Sequence, residues 1–277
     1  MSGNPSSIRE LLARFGHNPN RALGQNFLAD GEKALAIARA ATGEGLPVLE
    51  IGPGLGALTA PLLSLSPRVV AVEIDAALVE ALQALYGQNP RLTLVQGDFC
   101  KADLPALYAA LGGAFAVAAN LPYYATTPIC LRLLASGLPI PRLVLMAQRE
   151  AAARFFAQPG SRQYGPLAIL AQYYYQPRLM MELSPADYYP QPQVSSQVVL
   201  LERQAGRPFL PGFLPFLEGA FAMRRKTLMN NLKGLPGAPA ALAALGLPPG
   251  CRAEGLPPET LAALFRALAP AKEDAGS

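Results

Sequence analysis

The segment Val48-Leu49-Glu50-Ile51-Gly52-Pro53-Gly54-Leu55-Gly56 constrains this chain more than any other. A short apolar run there breaks into a glycine-rich turn, and Leu58, Leu62 and Leu63 then recur at helical spacing. The reading is strand, turn, helix, with missing side chains that let a ligand approach the backbone. The same alternation continues over residues 47–148. Apolar segments at Val48–Ile51, Val69–Glu73, Leu92–Gln96, 114–119 and 143–146 are separated by helical patterns such as Leu78, Leu82 and Leu85. This spacing predicts an α/β fold, a Rossmann-like doubly wound sheet of five parallel strands with helices on both faces.

Two later segments, 179–183 and 194–201, are joined by a stretch containing Pro185, Pro190 and Pro192 that is too short to hide a crossover helix. An antiparallel hairpin is therefore expected to extend the sheet. Beyond Gln204 the composition changes to short Leu/Ala stretches separated by Pro and Gly, beginning with Pro208, Pro211, Gly212 and Pro215. The expected division is residues 1–204 as one domain with an N-terminal arm, and 205–277 as a small helical domain.

Hydrophobic residues make up 51% of the chain, enough for a packed core, yet Arg, Pro and Gly interrupt every apolar run before it reaches membrane-spanning length. Because the start also lacks a secretory apolar core, the expectation is a cytoplasmic protein without a membrane partner. Cys100, Cys130 and Cys251 are odd in number and far apart, which suits neither a disulfide framework nor a zinc site. The lone His17 reads as a solvated loop residue, so no metal is expected. The formal charge of +4 is compatible with a polyanionic partner but does not require one.

Glu73 closes the second strand, where a carboxylate can accept hydrogen bonds from both hydroxyls of a ribose. Gly52, Gly54 and Ala57 together with this acid would equally serve a dinucleotide enzyme, so the pair indicates adenosine without saying which adenosine. Asp98-Phe99 follows the third strand. The carboxylate is placed to accept from an adenine amino group and the ring to cover its face, while a turn or helix-capping aspartate is the plainer reading.

After the fourth strand stands Asn120-Leu121-Pro122-Tyr123-Tyr124. It resembles the (Asn/Asp)-Pro-Pro-(Tyr/Phe) signature of amino-methyltransferases, whose target amine is a poor nucleophile because its lone pair is delocalised. The Asn120 side-chain oxygen and the Leu121 carbonyl are candidate acceptors for that amine, with Pro122 fixing the turn and Tyr123 stacking on an extruded base. In isolation the pentapeptide would be an ordinary turn with two core tyrosines. Here the glycine turn, the acid, Asp-Phe and this motif fall in order at the ends of strands one to four.

Over nearly its full length the chain resembles the ribosomal RNA adenine dimethyltransferase family. The matching segments are Arg21-Ala22-Leu23-Gly24-Gln25-Asn26-Phe27-Leu28, residues 50–56, residues 120–124, residues 188–199 and Arg224-Arg225-Lys226-Thr227-Leu228. The resemblance implies that Asn26, Leu28, Gly52, Glu73, Asp98 and Asn120 contact S-adenosylmethionine, and that Leu121 and Tyr123 help hold the adenine. Read from the residues alone, Gln25 and Asn26 are loop polar residues. Tyr188 stands where relatives commonly carry a Phe that sandwiches the target base; packing of the hairpin loop is the alternative.

Arg224 to Lys226, with Asn230 and Asn231 beyond, resembles the branch that dimethylates two adjacent adenosines near the 3′ end of small-subunit RNA. The other branch modifies large-subunit RNA and confers antibiotic resistance. The implied partner is small-subunit RNA within an immature ribosomal subunit, approached by a monomer. In physical terms Arg224, Arg225 and Lys226 at a helix start can meet phosphates, with Arg14 and Arg21 helping from the arm; a solvated helix face is the alternative. An assembly factor whose chemistry is secondary, and a nicotinamide-dependent oxidoreductase, are the rival functions.

Overall fold

The computed structural model describes residues 5–20, 23–122 and 124–268. The chain divides into two compact units, residues 1–152 with 175–203, and residues 153–174 with 204–277. The second unit thus includes a segment, 153–174, that composition places in the first domain.

The first unit opens with α1 (Pro5–Arg14), the two-residue β1 (Phe27–Leu28) and α2 (Gly31–Thr42). Five strands follow with helices between them: β2 (Val48–Ile51), α3 (Thr59–Leu65), β3 (Val69–Glu73), α4 (Ala76–Tyr86), β4 (Leu92–Gln96), α5 (Leu104–Leu111), β5 (Ala116–Asn120), α6 (Thr126–Leu134) and β6 (Arg142–Gln148). The chain then passes through α7 (Arg149–Ala153) and α8 (Pro166–Tyr174) to β7 (Tyr175–Leu183), β8 (Tyr188–Tyr189) and β9 (Ser196–Arg203).

The main sheet runs β4-β3-β2-β5-β6-β9-β7. Strands β2 to β6 are parallel, while β9 runs antiparallel to both β6 and β7. This is the expected Rossmann-like doubly wound sheet with an antiparallel hairpin. Register explains its two covered faces. Val48 pairs with Val69 and Ala116, and these share a core with Ile37 and Ala41 of α2 and Leu62 and Leu63 of α3. Residues of the other parity, including Leu49, Val70, Val72 and Val117, are equally buried. A central strand buried on both sides must be apolar throughout, and VLEI and VVAVE are so apart from their acids. Each fully buried Leu or Val contributes roughly 1.5–3 kcal/mol.

Two features depart from the sequence reading. The stretch between the hairpin strands is not a plain loop, because Tyr188 and Tyr189 pair antiparallel with Leu28 and Phe27. The hairpin itself also runs longer than expected on its first strand, from Tyr175, and begins later on its second, at Ser196.

The second unit continues with α9 (Phe213–Phe221), α10 (Leu228–Asn231), α11 (Ala238–Ala244) and α12 (Pro258–Leu268). Aromatic rings organise its core. Tyr173 of α8 meets Phe213 edge-on at 5.6 Å between centroids, and Phe213 in turn lies 5.4 Å from Phe265 of α12. The Tyr174 hydroxyl accepts from the Leu210 backbone N–H at 3.1 Å. These contacts place α8 with the C-terminal helices. Among the described residues no helix is long and apolar enough to cross a membrane.

Candidate active site

The sheet order places a topological switch between β2 and β5: the chain leaves β2 outward to β3 and β4, then returns to β5 on the other side. Loops that diverge at such a point open a crevice at the carboxyl ends of the strands. A cavity of about 240 Å³ lies there. Asn26, Leu28, Gly52, Gly54, Glu73, Asp98, Phe99, Asn120, Leu121 and Tyr188 all line it. Tyr123 lies outside the described residues, as does Arg21.

Gly52 and Gly54 have φ of +68° and +60°, a region that side chains resist. Contact adds a second reason at Gly54: a Cβ there would sit 3.0 Å from two ring carbons of Phe27. A Cβ on Gly52 would come 3.6 Å from the Asn120 carbonyl oxygen, so the glycine turn and the end of β5 are direct neighbours. The two motifs that the sequence separates by about seventy residues share one wall.

Two buried acids stand on adjacent strands, and their surroundings treat them differently. The Glu73 carboxylate accepts backbone N–H groups on both oxygens, from Gly54 to Oε2 at 3.1 Å and from Asp75 to Oε1 at 3.0 Å. Burial raises its pKa, and the N–H donors of Asp75, Gly54 and Ile74 oppose the rise. Each oxygen retains acceptor capacity, so a vicinal diol fits this carboxylate. Glu50 is 1% exposed and its Oε2 accepts from the Thr59 hydroxyl at 2.7 Å. Burial pushes it up to about 8 against that hydrogen bond, with the Glu73 charge adding to the rise. At neutral pH Glu50 is therefore a neutral, donor-bearing acid beneath the glycine turn.

Asp98 spends Oδ1 on capping the turn Phe99–Lys101, accepting from the Cys100 N–H at 2.9 Å. The capping reading and the cleft reading are compatible, since Oδ2 has the exposed Lys101 ammonium 3.9 Å away and keeps room for a further donor. Phe99 is 4% exposed and presents what it shows to the cavity. At the end of β5 the Asn120 Nδ2 donates to the Asn26 carbonyl at 2.9 Å. The Pro122 carbonyl accepts from the Ala125 N–H at 3.0 Å and the Thr126 hydroxyl at 3.1 Å, closing the turn into α6.

The far wall is a roof of distant segments. Tyr188, 3% exposed, is packed in the main core with Leu28 and Leu183 while still bordering the cavity. Its packing role is thus present beside any stacking role. Lys33 ties the same region together, 2.6 Å from Asp187. His17 is not a solvated loop residue. Its side chain is 8% exposed and its Nε2 lies 3.0 Å from Gln25 Oε1, because the arm folds back on itself. Gln25 was legible only as a loop polar residue, yet it joins His17 to Asp75; nothing local in the sequence signals a partner fifty positions away. Among the described residues, no group of three His, Cys, Asp or Glu is placed to hold a metal ion.

In the second unit the basic triplet occupies the turn between α9 and α10, with Thr227 capping the latter. Arg224 is committed internally. Its Nη1 donates to the Arg162 and Tyr164 carbonyls at 3.0 Å each, and its Nε and Nη2 reach Glu254 Oε2 at 3.2 and 3.0 Å. Arg225 and Lys226 are exposed.

The model of the ribosomal RNA adenine dimethylase family matches residues 16–269. The chain is 39% identical over 281 residues to the ribosomal RNA small subunit methyltransferase A of Moorella thermoacetica, covering 95% of this chain and 97% of the relative. Its counterpart in Acidobacterium capsulatum is 39% identical over 274 residues, 95% of this chain and 96% of that one. Among solved structures, a dimethyladenosine transferase from Plasmodium falciparum superposes with a TM-score of 0.69 at 24% identity, over 84% of this chain and 94% of the other, a likeness of fold. The 23S rRNA methyltransferase ErmE superposes with a TM-score of 0.60 at 27% identity, over 87% and 99%.

Proposed function

This chain belongs to the ribosomal RNA adenine dimethylase family, and from that premise we propose that it dimethylates the N6 amines of two adjacent adenosines near the 3′ end of small-subunit ribosomal RNA, using S-adenosylmethionine. The observation that supports this reading most is the juxtaposition of Gly52 with Asn120 across one cleft, beside Glu73 and Asp98. When bound, S-adenosylmethionine supplies a methyl group on a positively charged sulfur.

The chain's own residues do the rest. Glu73 holds a ribose diol with oxygens already oriented by two backbone N–H groups. Asp98 accepts from the cofactor's adenine amine and Phe99 covers its face. Asn120 Oδ1 and the Leu121 carbonyl accept from the target amine, returning electron density to a nitrogen that is otherwise a weak nucleophile. Tyr188 and Tyr123 hold the extruded base, each aromatic contact offsetting about 1–3 kcal/mol of the unstacking penalty. Placement dominates, because the amine sheds its proton only after transfer and needs no strong base.

Arg225 and Lys226 supply phosphate contacts from the second unit and Arg14 from the arm, with Arg224 building the surface that carries them. The substrate is the RNA within an immature ribosomal subunit, and the enzyme works as a cytoplasmic monomer.

The test is to incubate the protein with methyl-labelled cofactor and small subunits lacking this modification, then map the labelled base. Label on two neighbouring adenosines near the 3′ end is expected. Label in large-subunit RNA would move the enzyme to the resistance branch, and no label in either would overturn the reading.

A further inference from the structure

The N-terminal arm touches the carboxyl edge of the main sheet at three consecutive residues, and a fourth pairs with β8. Gln25 Nε2 donates to Asp75 Oδ2 at 2.8 Å, just past β3. The Asn26 carbonyl accepts from Asn120 Nδ2 at 2.9 Å, at the end of β5. The Phe27 ring covers Gly54, in the turn after β2. Leu28 pairs with Tyr188.

Two of these contacts carry information that the cofactor contacts implied by the resemblance do not. A backbone carbonyl only accepts, so only the nitrogen of the Asn120 amide can face Asn26. That fixes the rotamer end of the amide and leaves Oδ1 on the other side. Without the arm, the amide loses the partner that distinguishes its two ends.

The arm in turn is held through Gln25. Its Oε1 accepts from the Asn20 N–H at 2.7 Å and lies 3.0 Å from His17 Nε2, while its Nε2 spans to Asp75. Asp75 is itself fixed, because Oδ1 accepts from the Ala77 N–H at the start of α4 and its own N–H donates to Glu73 Oε1. A continuous chain of hydrogen bonds therefore runs from the arm through Asp75 to the carboxylate that would take the ribose. The side chains of His17 and Asp75 are 8% and 15% exposed, so water competes weakly for the junction.

We propose that Gln25 is a positioning residue: it latches the arm to Asp75, and the latched arm holds the Asn120 amide with its oxygen available to the target amine. The proposal rests on the methyl-transfer reading above. Gln25 touches no reacting atom; it acts through Asn26 and Asn120.

The test inverts the latch. Gln25→Glu keeps the acceptor for the Asn20 N–H but sets a carboxylate against Asp75. Adding Asp75→Asn restores a donor opposite while an amide oxygen still caps α4. For Gln25→Glu, without cofactor, amide exchange at Phe27 and at Ala29, whose N–H donates to the Asp187 carbonyl at 2.7 Å, and at the Asn120 side-chain NH2 accelerates about 10-fold or more, because the arm opens locally. With saturating cofactor, kcat falls about 10-fold while KM for the RNA stays within about 2-fold. The double variant returns both to within about 3-fold of the unmodified protein.

A double variant no better than Gln25→Glu overturns the latch. Accelerated exchange with an unchanged kcat overturns the link to Asn120. Exchange needs no turnover, so if the unmodified protein transfers no methyl group, the function falls while the latch is still judged by its protection of the arm.

Discussion

In the cleft, residues from positions 26, 52, 73, 98, 120 and 188 converge on one cavity. In the basic turn the opposite happens: Arg224, Arg225 and Lys226 are adjacent in the chain and all exposed, yet the first is bound to Glu254 and to the Ser161, Arg162 and Tyr164 carbonyls. Parallel strands cause the convergence, because each delivers its last residue to the same edge. A tight turn causes the divergence, because successive side chains leave it in different directions. Proximity in sequence is thus a poor guide to shared work in the turn, and distance in sequence is no bar to it in the cleft.

Removing Glu73 attacks the convergence most directly. Glu73→Ala leaves the Gly54 and Asp75 N–H groups without their acceptor and takes both oxygens from the ribose, and hydrogen bonds to a charged group are worth about 1.5–3 kcal/mol each. Calorimetry with S-adenosylhomocysteine is expected to show binding weakened about 100-fold. A loss smaller than about 3-fold would mean that affinity resides elsewhere in the cleft.

The divergence is tested by separating the triplet. Arg224→Ala is expected to destabilise the second unit by about 1–2 kcal/mol, a figure already reduced for a side chain that is 40% exposed. Hydrogen exchange at increasing urea would report it in α9 and in residues 158–164, with the salt dependence of RNA binding unchanged. Arg225→Ala with Lys226→Ala should do the reverse, leaving stability within about 0.5 kcal/mol and lowering the salt slope by about 1.5. If Arg224→Ala alone flattens the salt slope, the division of labour is wrong.

The smallest effect sharpens the contrast within the cleft, between an acid whose burial is opposed by backbone N–H donors and one whose burial prevails. Folded Glu50 keeps its proton up to about pH 8, whereas the unfolded chain releases it near the ordinary value of 4.5. Between those values the folded state binds the extra proton, so stability falls as pH rises, by at most about 1.4 kcal/mol per unit, and levels off above pH 8. Glu50→Gln keeps a donor and an acceptor but no titration. Melting curves from pH 6 to 8 should decline for the natural protein and flatten for the variant, by about 1 kcal/mol between pH 7 and 8. Parallel curves would show that Glu50 is charged.

The parts of this architecture that the amino-acid order discloses are those with a period. Val48–Ile51 and Val69–Glu73 announce buried strands by unbroken apolar character, and the order of Gly52, Glu73, Asp98 and Asn120 at their ends locates the cleft. The β1 and β8 pair is invisible because two residues have no period to detect. α8 misleads for a related reason. Leu167, Ala168, Ile169, Leu170, Ala171, Tyr173 and Tyr174 are all buried, so no stripe says which neighbours it faces, and aromatic contacts carry it to the C-terminal helices. Arg224 and Gln25 were beyond reach because a polar side chain's partner is set by tertiary geometry.

The roof has a temporal consequence. Phe27 and Leu28 leave a ribosome some 160 positions ahead of Tyr189 and Tyr188, their strand partners. A nascent chain halted after β6 would own the glycine turn, both acids and Asn120, yet hold no closed cavity. Competence to modify ribosomal RNA would thus arrive only when synthesis of the first unit is nearly complete, and truncated products would be inert rather than partially active.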